Sequence, residues 1–328
     1  MKKVSITTTD NLPVIIQPIK DSLRELAIIK KVPLPFYFQN IKEKEFFIKE
    51  LVDSEGILLR SGNISRDMIE KLPNLKIIAV HGTGVDQVDI EACNKHNVTV
   101  TNTPGANSNA VAELTIGLMI SLLRKIPEIN EKVRSKHMWD KARVNGMELN
   151  GKQLGIIGFG QIGKKVASIA NTIGMNVYSY DPNVNEREMS KIKTKKVNLD
   201  FLITKSDIIS LHIPLTEATH HIIDKRRLEV MKEGSFIINT ARGALIDEIA
   251  LSVQLEKGNI SGAALDILED EPPNPKSPIL KSPNVIITPH IGGSTFECLE
   301  KVASIASKSI AEFFNGKVPK NIIKKSPA

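Results

Sequence analysis

Residues Leu154 to Gly163 read LGIIGFGQIG. An apolar run stops at a glycine, and glycines recur as Gly158, Gly160 and Gly163 in the spacing G-x-G-x-x-G. That spacing alone is common, so its surroundings decide its meaning. Before it stands Gln153–Ile157, a run suited to a buried strand. After it, between Lys164 and Ile173, Val166, Ile169, Ala170 and Ile173 fall at i, i+3, i+4 and i+7 and lay one apolar stripe along a helix. The next β-rich run, Val177–Tyr180, ends in Asp181. In such a unit the first glycine makes a tight turn, the second lets the backbone approach a pyrophosphate, and the third lets helix and strand pack closely. The helix N-terminus adds free N–H groups and the positive end of its dipole. Asp181 can accept hydrogen bonds from ribose hydroxyls, and its charge repels a 2′-phosphate, so NAD is expected rather than NADP. Gly158–Lys164 also fits the first seven positions of a Walker A loop. The eighth is Lys165, which lacks the hydroxyl that holds Mg²⁺, so an NTPase is excluded.

The same alternation extends through the chain. Early β-rich runs are Val4–Thr7, Ile57–Leu59, Ile77–Val80 and Val98–Val100; later ones are Asp207–Leu211, Phe236–Ile238, Gly262–Leu265 and Val285–Ile287. Strands alternating with helical patterns predict an α/β fold of parallel sheets covered on both faces. At 328 residues the chain is long for one core, so two domains are expected. The turn-rich TNTPGANS ahead of the helical Asn109–Arg124 marks a crossing point between them. The division runs from residue 1 to about 102, then from 103 to 292, with the tail 293–328 returning to the first domain.

Composition narrows the class. The chain is 41% hydrophobic and 25% charged, with 4% aromatics, so aliphatic side chains must fill the cores. No apolar run is long enough for a bilayer span, and the basic start lacks the continuous apolar core of a signal peptide. Cys93 and Cys298 form no CxxC pair, so neither a disulfide framework nor a metal site is expected, and a cytoplasmic setting follows. The net charge of +7 is spread among interleaved acids. Its densest cluster, KIKTKK from Lys191 to Lys196, carries no aromatics, so no nucleic-acid partner is expected. The positive field instead favours small anionic substrates.

Three residues near later strand ends carry chemistry. Arg242 follows Phe236–Ile238 in NTARGALID, Glu271 follows Gly262–Leu265 in LDILEDEPP, and His290 ends Val285–Ile287 in VIITPHIGGS. Ligands of open parallel sheets bind beyond the carboxyl ends of the strands, so the three can converge. An imidazole can pass a proton to or from a carbonyl oxygen. A guanidinium can grip a carboxylate with its planar fork.

GFGQIG, Asp181, NTARG, LDILEDEPP and TPHIGGS, in that order, resemble the D-isomer-specific 2-hydroxyacid dehydrogenase family over nearly the whole length. The resemblance implies two doubly wound, Rossmann-like domains with an active site in the cleft between them, NAD-dependent interconversion of 2-hydroxy and 2-oxo acids, and homodimers or homotetramers. It assigns catalysis to Arg242, Glu271 and His290, and the cofactor's carboxamide to Asp266. It adds Gln161, Ile162, Ile213, Pro214, Thr240, Ala241, Gly292 and Gly293 to the cofactor contacts. Thr83 and Gly84, in HGTGVD, match a loop whose N–H groups hold a substrate carboxylate.

LLRSGN, HGTGVDQVD, NTPGANSNAVAELT and MELNGKQLG are most similar to the members that oxidise D-3-phosphoglycerate to 3-phosphohydroxypyruvate in serine synthesis. Arg60 then matches a substrate-binding arginine. The pattern departs at Val80, where some members carry arginine, and at Lys141, with Arg143 near it, where an arginine can face the phosphate. A chain ending near residue 328 is expected to lack a C-terminal regulatory domain. Two alternatives stand beside this one: a hydroxypyruvate or glyoxylate reductase of the same family, and a dinucleotide-sensing, corepressor-like binding protein.

Overall fold

The computed structural model describes residues 1–8, 14–35, 38–137, 139 and 145–323. The chain divides into two compact units, Met1–Asn107 with Ser294–Ala328, and Ser108–Gly293. The crossings thus fall a few residues after 102 and one residue after 292. TNTPGANS belongs almost wholly to the first unit.

The first unit runs β1 (Lys2–Thr7), α1 (Ile16–Leu23), β2 (Ala27–Val32), α2 (Ile41–Leu51), β3 (Gly56–Leu59), α3 (Arg66–Glu70), β4 (Ile77–Val80), α4 (Ile90–Lys95) and β5 (Thr99–Thr101). Its strands form a parallel sheet in the order β2-β1-β3-β4-β5. β3 and β4 are buried at every position, as strands covered on both faces must be. β2 was not foreseen. It reads AIIKKV, and Lys30 and Lys31 are exposed at the sheet edge, where lysines discourage pairing with a foreign strand.

The second unit opens with α5 (Ser108–Leu123) and α6 (Ile126–Lys136). It continues through β6 (Gln153–Ile157), α7 (Gln161–Thr172), β7 (Asn176–Tyr180), α8 (Glu186–Ser190), β8 (Lys195–Lys196), α9 (Leu199–Lys205) and β9 (Ile208–Leu211). It ends with α10 (Lys225–Val230), β10 (Ser235–Asn239), α11 (Glu248–Glu256), β11 (Ile260–Leu265) and β12 (Val285–Ile287). The sheet order is β12-β11-β10-β9-β6-β7-β8, again parallel. The order reverses between β6 and β9, the switch point at which doubly wound sheets bind ligands. One apolar layer, with Ile157, Ile209, Ile237 and Leu251, covers one face. Another, with Leu154, Ile156, Met119 and Val166, covers the other. β8, two lysines of the KIKTKK cluster, is an edge strand that the sequence reading did not include.

α12 (Phe296–Phe314) returns to the first unit. Thr295 caps it by accepting from the Cys298 N–H. Its Ala303, Ala306 and Ile310 pack with Val4, Ile6, Leu58 and Ile77, the small alanines allowing close approach to the sheet. Cys93 and Cys298 are buried free thiols, and burial pushes Cys93 up to about 12. Among the described residues no helix is long and apolar enough to cross a membrane.

Candidate active site

In a parallel sheet all strands end on the same edge. Gly158, Asp181, Ile213, Thr240, Asp266 and His290 follow β6, β7, β9, β10, β11 and β12 respectively, so one edge of the second unit carries them all.

Each glycine of the loop has a separate task. Gly158 has φ of +97°, and a Cβ there would lie 2.5 Å from both the His212 carbonyl oxygen and Ile213 Cγ2. A Cβ at Gly163 would lie 2.1 Å from the Gly158 carbonyl oxygen. One at Gly160 would meet nothing within 4 Å, so space opens there. Gly160 is also the N-cap of α7, which has no side-chain cap. The first N–H groups of that helix, including those of Gln161 and Ile162, thus carry no side-chain cap, as an anion site requires. Asp181 is tied to the loop: Oδ2 accepts from the Phe159 N–H at 2.8 Å and Oδ1 from the Asn183 N–H at 2.9 Å. Each oxygen keeps lone-pair capacity for a hydroxyl. These features fit a dinucleotide.

At the ends of β10, β11 and β12 a second cluster forms. The buried Asn239 donates through Nδ2 to the Arg242 carbonyl at 2.8 Å and accepts from the Ala241 N–H at 3.0 Å. It thereby folds the turn that carries Arg242. Its own carbonyl accepts from Asp266 N–H at 2.9 Å. A Cβ on Gly243 would lie 2.0 Å from the Leu268 carbonyl carbon, so the arginine turn is pressed against the loop leading to Glu271. Thr240 is buried and shares a 3.0 Å hydrogen bond with the Thr115 hydroxyl.

Asp266 is 1% exposed and organises the loop after β12. Oδ1 accepts from the Thr288 hydroxyl at 2.6 Å and the Ile291 N–H at 2.9 Å, and Oδ2 accepts from the Gly292 N–H at 2.8 Å. Its carbonyl accepts from the His290 N–H at 2.8 Å. His290 sits inside this loop with φ of +54°, a conformation that costs energy in a residue with a Cβ and clusters at functional positions. Its Nδ1 lies 2.9 Å from Glu271 Oε2, and its side chain is 53% exposed. Nδ1 is thus occupied by the carboxylate, leaving Nε2 to face a reactant.

In the first unit, Arg60 follows β3 and is mostly buried. Its Nε has no partner, and burial pulls its guanidinium below the ordinary value. His81, after β4, is 6% exposed with Nε2 unpartnered. Burial and then the Arg60 charge push it down to about 3. Thr83 donates its hydroxyl to Asn107 Oδ1 at 3.0 Å, and its carbonyl accepts from Asn102 Nδ2 at 2.7 Å. Among the described residues the backbone N–H groups of Thr83 and Gly84 donate to no carbonyl. A Cβ on the preceding Gly82 would meet nothing within 4 Å. Lys141 and Arg143 lie outside the described residues.

Asn239 and His81 were not singled out from sequence, although both sit in stretches read for other residues. A polar side chain closing an apolar strand is the signal both share.

Residues 116–292 match the family model described as D-isomer specific 2-hydroxyacid dehydrogenase, NAD binding domain. The chain belongs to that family. The second unit is therefore an NAD-binding domain of this type. Among curated relatives, the D-3-phosphoglycerate dehydrogenase of Methanocaldococcus jannaschii is 40% identical over 282 residues, covering 85% of this chain and 53% of that protein. The chain thus spans about half the length of this relative. The hydroxypyruvate reductase of Thermotoga maritima is 41% identical, covering 79% of this chain and 85% of its own. Among solved structures, D-lactate dehydrogenase from Aquifex aeolicus, complexed with NAD and lactic acid, superposes with a TM-score of 0.85 at 29% identity over 99% of this chain and 100% of its own.

Proposed function

We propose that the protein interconverts a D-2-hydroxy acid and its 2-oxo acid with NAD, and that the acid is D-3-phosphoglycerate. The observation that carries the reaction is the 2.9 Å pairing of His290 Nδ1 with Glu271 in a loop held by Asp266. Bound NAD supplies the hydride acceptor. His290 takes the hydroxyl proton at Nε2 during oxidation and returns it to the carbonyl oxygen during reduction. Glu271 fixes the ring and holds the Nδ1 proton throughout, as an orienting carboxylate does for any catalytic imidazole. Arg242 grips the substrate carboxylate and polarises the 2-oxo group. Asp181 accepts from the adenosine ribose, and the α7 N-terminus holds the pyrophosphate. Arg60, with the N–H groups of Thr83 and Gly84, takes anionic groups of the substrate, as does Lys141 for a phosphate. The enzyme acts as a homodimer or homotetramer in the cytoplasm.

The substrate rests on the similarity of LLRSGN and HGTGVDQVD to phosphoglycerate-oxidising relatives. The relative named hydroxypyruvate reductase favours an unphosphorylated acid as the second reading; Val80, where some members carry arginine, is buried in the core of the first unit and gives no support either way. Initial rates separate the two. Under the first, kcat/KM for 3-phosphohydroxypyruvate with NADH exceeds that for hydroxypyruvate and glyoxylate. The reverse order assigns the enzyme to the reductases. No turnover on any 2-oxo acid while NADH still binds would leave a dinucleotide sensor.

A further inference from the structure

We propose that His220, His221 and Glu269 form a binding site for a divalent zinc-class ion on the NAD-binding unit. One ligand atom from each side chain lies within 4.8 Å of those of the other two. His221 Nε2 and Glu269 Oε1 are 3.4 Å apart. Two ligands about 2.0–2.1 Å from a tetrahedral zinc stand about 3.4 Å from each other. This edge of the tetrahedron is already at its liganded length. His221 Nε2 is buried and makes no hydrogen bond, so its contact with Glu269 is all that faces it, whereas buried polar atoms ordinarily have a hydrogen-bond partner. The His220 ring lies beside it, with centroids 4.0 Å apart and planes at 30°. Its ligand nitrogen, within 4.8 Å of the other two ligand atoms, has to turn toward them to fill the third corner, and the exposure of His220 and Glu269 leaves the fourth for water.

The scaffold fixes these ligands before an ion arrives. His221 takes a left-handed backbone conformation, φ +47°, and its N–H donates to the Ala244 carbonyl at 2.8 Å. The Ile223 N–H donates to the Leu245 carbonyl at 3.0 Å. The turn before the histidines is knotted by Thr219, whose hydroxyl accepts from the Thr216 N–H at 2.7 Å and donates to the Pro214 carbonyl at 2.8 Å. On the other side, the Glu269 N–H donates to Glu248 Oε1 at 2.5 Å.

Two imidazoles and one carboxylate suit zinc and the late first-row metals. Calcium and magnesium want all-oxygen shells. The ion would join the segment after β9 to the loop after β11, two residues before Glu271. Nothing in the spacing announces the site, because Glu269 is far from the histidine pair in sequence. The proposal does not rest on the reaction proposed above.

The test is calorimetric titration of ZnCl₂ into the full, untagged, chelator-treated chain, with MgCl₂ as a parallel titrant. The expected result is a single zinc per chain and no magnesium. Even an outer-shell change costs roughly 10–100-fold in affinity, so His221→Asn and Glu269→Gln each weaken binding at least about tenfold. Asparagine tolerates the left-handed backbone, and Glu269 is exposed, so both variants keep their circular dichroism spectrum. His290→Ala binds zinc as the parent does. The proposal is overturned if the parent binds no zinc, or if either ligand variant binds it unchanged. It is also overturned if His290→Ala abolishes binding, which would place the ion on the His290–Glu271 pair.

Discussion

The carboxylate of Asp266 accepts the Gly292 N–H at 2.8 Å, and a Cβ on Gly292 would stand 3.0 Å from that same oxygen. A side chain at Gly292 would have to push that oxygen back by a few tenths of an ångström, and the hydrogen bond holds the loop that presents His290. Asp266→Asn sets an NH₂ donor against an N–H donor whichever way the amide points, because both oxygens accept from backbone N–H groups. A hydrogen bond to a charged group contributes about 1.5–3 kcal/mol. Urea unfolding should show a loss of that order, with kcat falling more than KM changes. A variant of parental stability and turnover would remove Asp266 from this role.

Replacing His290 removes the proposed acid/base. His290→Ala should lower kcat by about 10²–10⁴, the usual worth of such a group. NADH binding, read by fluorescence titration, should be retained. Full turnover would mean that the proton comes from elsewhere. Glu271→Gln should fall between parent and His290→Ala, because the ring stays but loses its charged partner.

Asp181 has two effects that can be separated. Its carboxylate braces the Phe159 N–H of the glycine loop, and in the proposed role its charge repels a 2′-phosphate. Asp181→Ala loosens the loop for both dinucleotides alike, but removes repulsion only for NADP. The ratio of kcat/KM for NAD to that for NADP should therefore fall. An unchanged ratio would leave Asp181 with only its bracing role.

Acid should destabilise the first unit through His81. Its imidazole is pushed down from 6.5 to about 3 by burial and by Arg60. Between those values the unfolded chain binds the proton and the folded chain does not, so stability falls as pH falls. The full stability is present above about pH 6.5, and the loss reaches the order of 5 kcal/mol by pH 3. His212, pushed to about 3 by burial, acts in the same direction. In His81→Gln, urea midpoints between about pH 7 and pH 4 should fall less steeply than in the parent. Equal slopes would place the acid sensitivity elsewhere.

The parts of the fold visible in the sequence are those where one requirement dominates. Strands such as β3, β4 and β9 are buried on both faces, so GILL and IIAV are apolar without interruption and IISL is broken only by the buried Ser210. The glycine loop is visible because Gly158 and Gly163 leave no room for a Cβ. β2 and β8 were not visible because edge strands carry lysines, which look like solvated surface. Asn239 was passed over because its work is done through backbone groups of Ala241, Arg242 and Asp266, which leave no periodic trace. The pairing of His290 with Glu271 was an inference from strand ends. Its left-handed backbone was not foreseen, since histidine carries no mark of the turn that Asp266 imposes on it.

The interleaving of the two units along the chain also sets an order of assembly. On the ribosome, everything from Ser108 to Gly293 emerges before Ala303, Ala306 and Ile310 do. The dinucleotide-binding unit can close its own core while the earlier strands still lack the helix that covers one of their faces. Of the two units, the one whose strands are made earlier is therefore the one completed later, against the usual order of synthesis, and in the interval its uncovered sheet face is the surface on which a chaperone or another nascent chain would act.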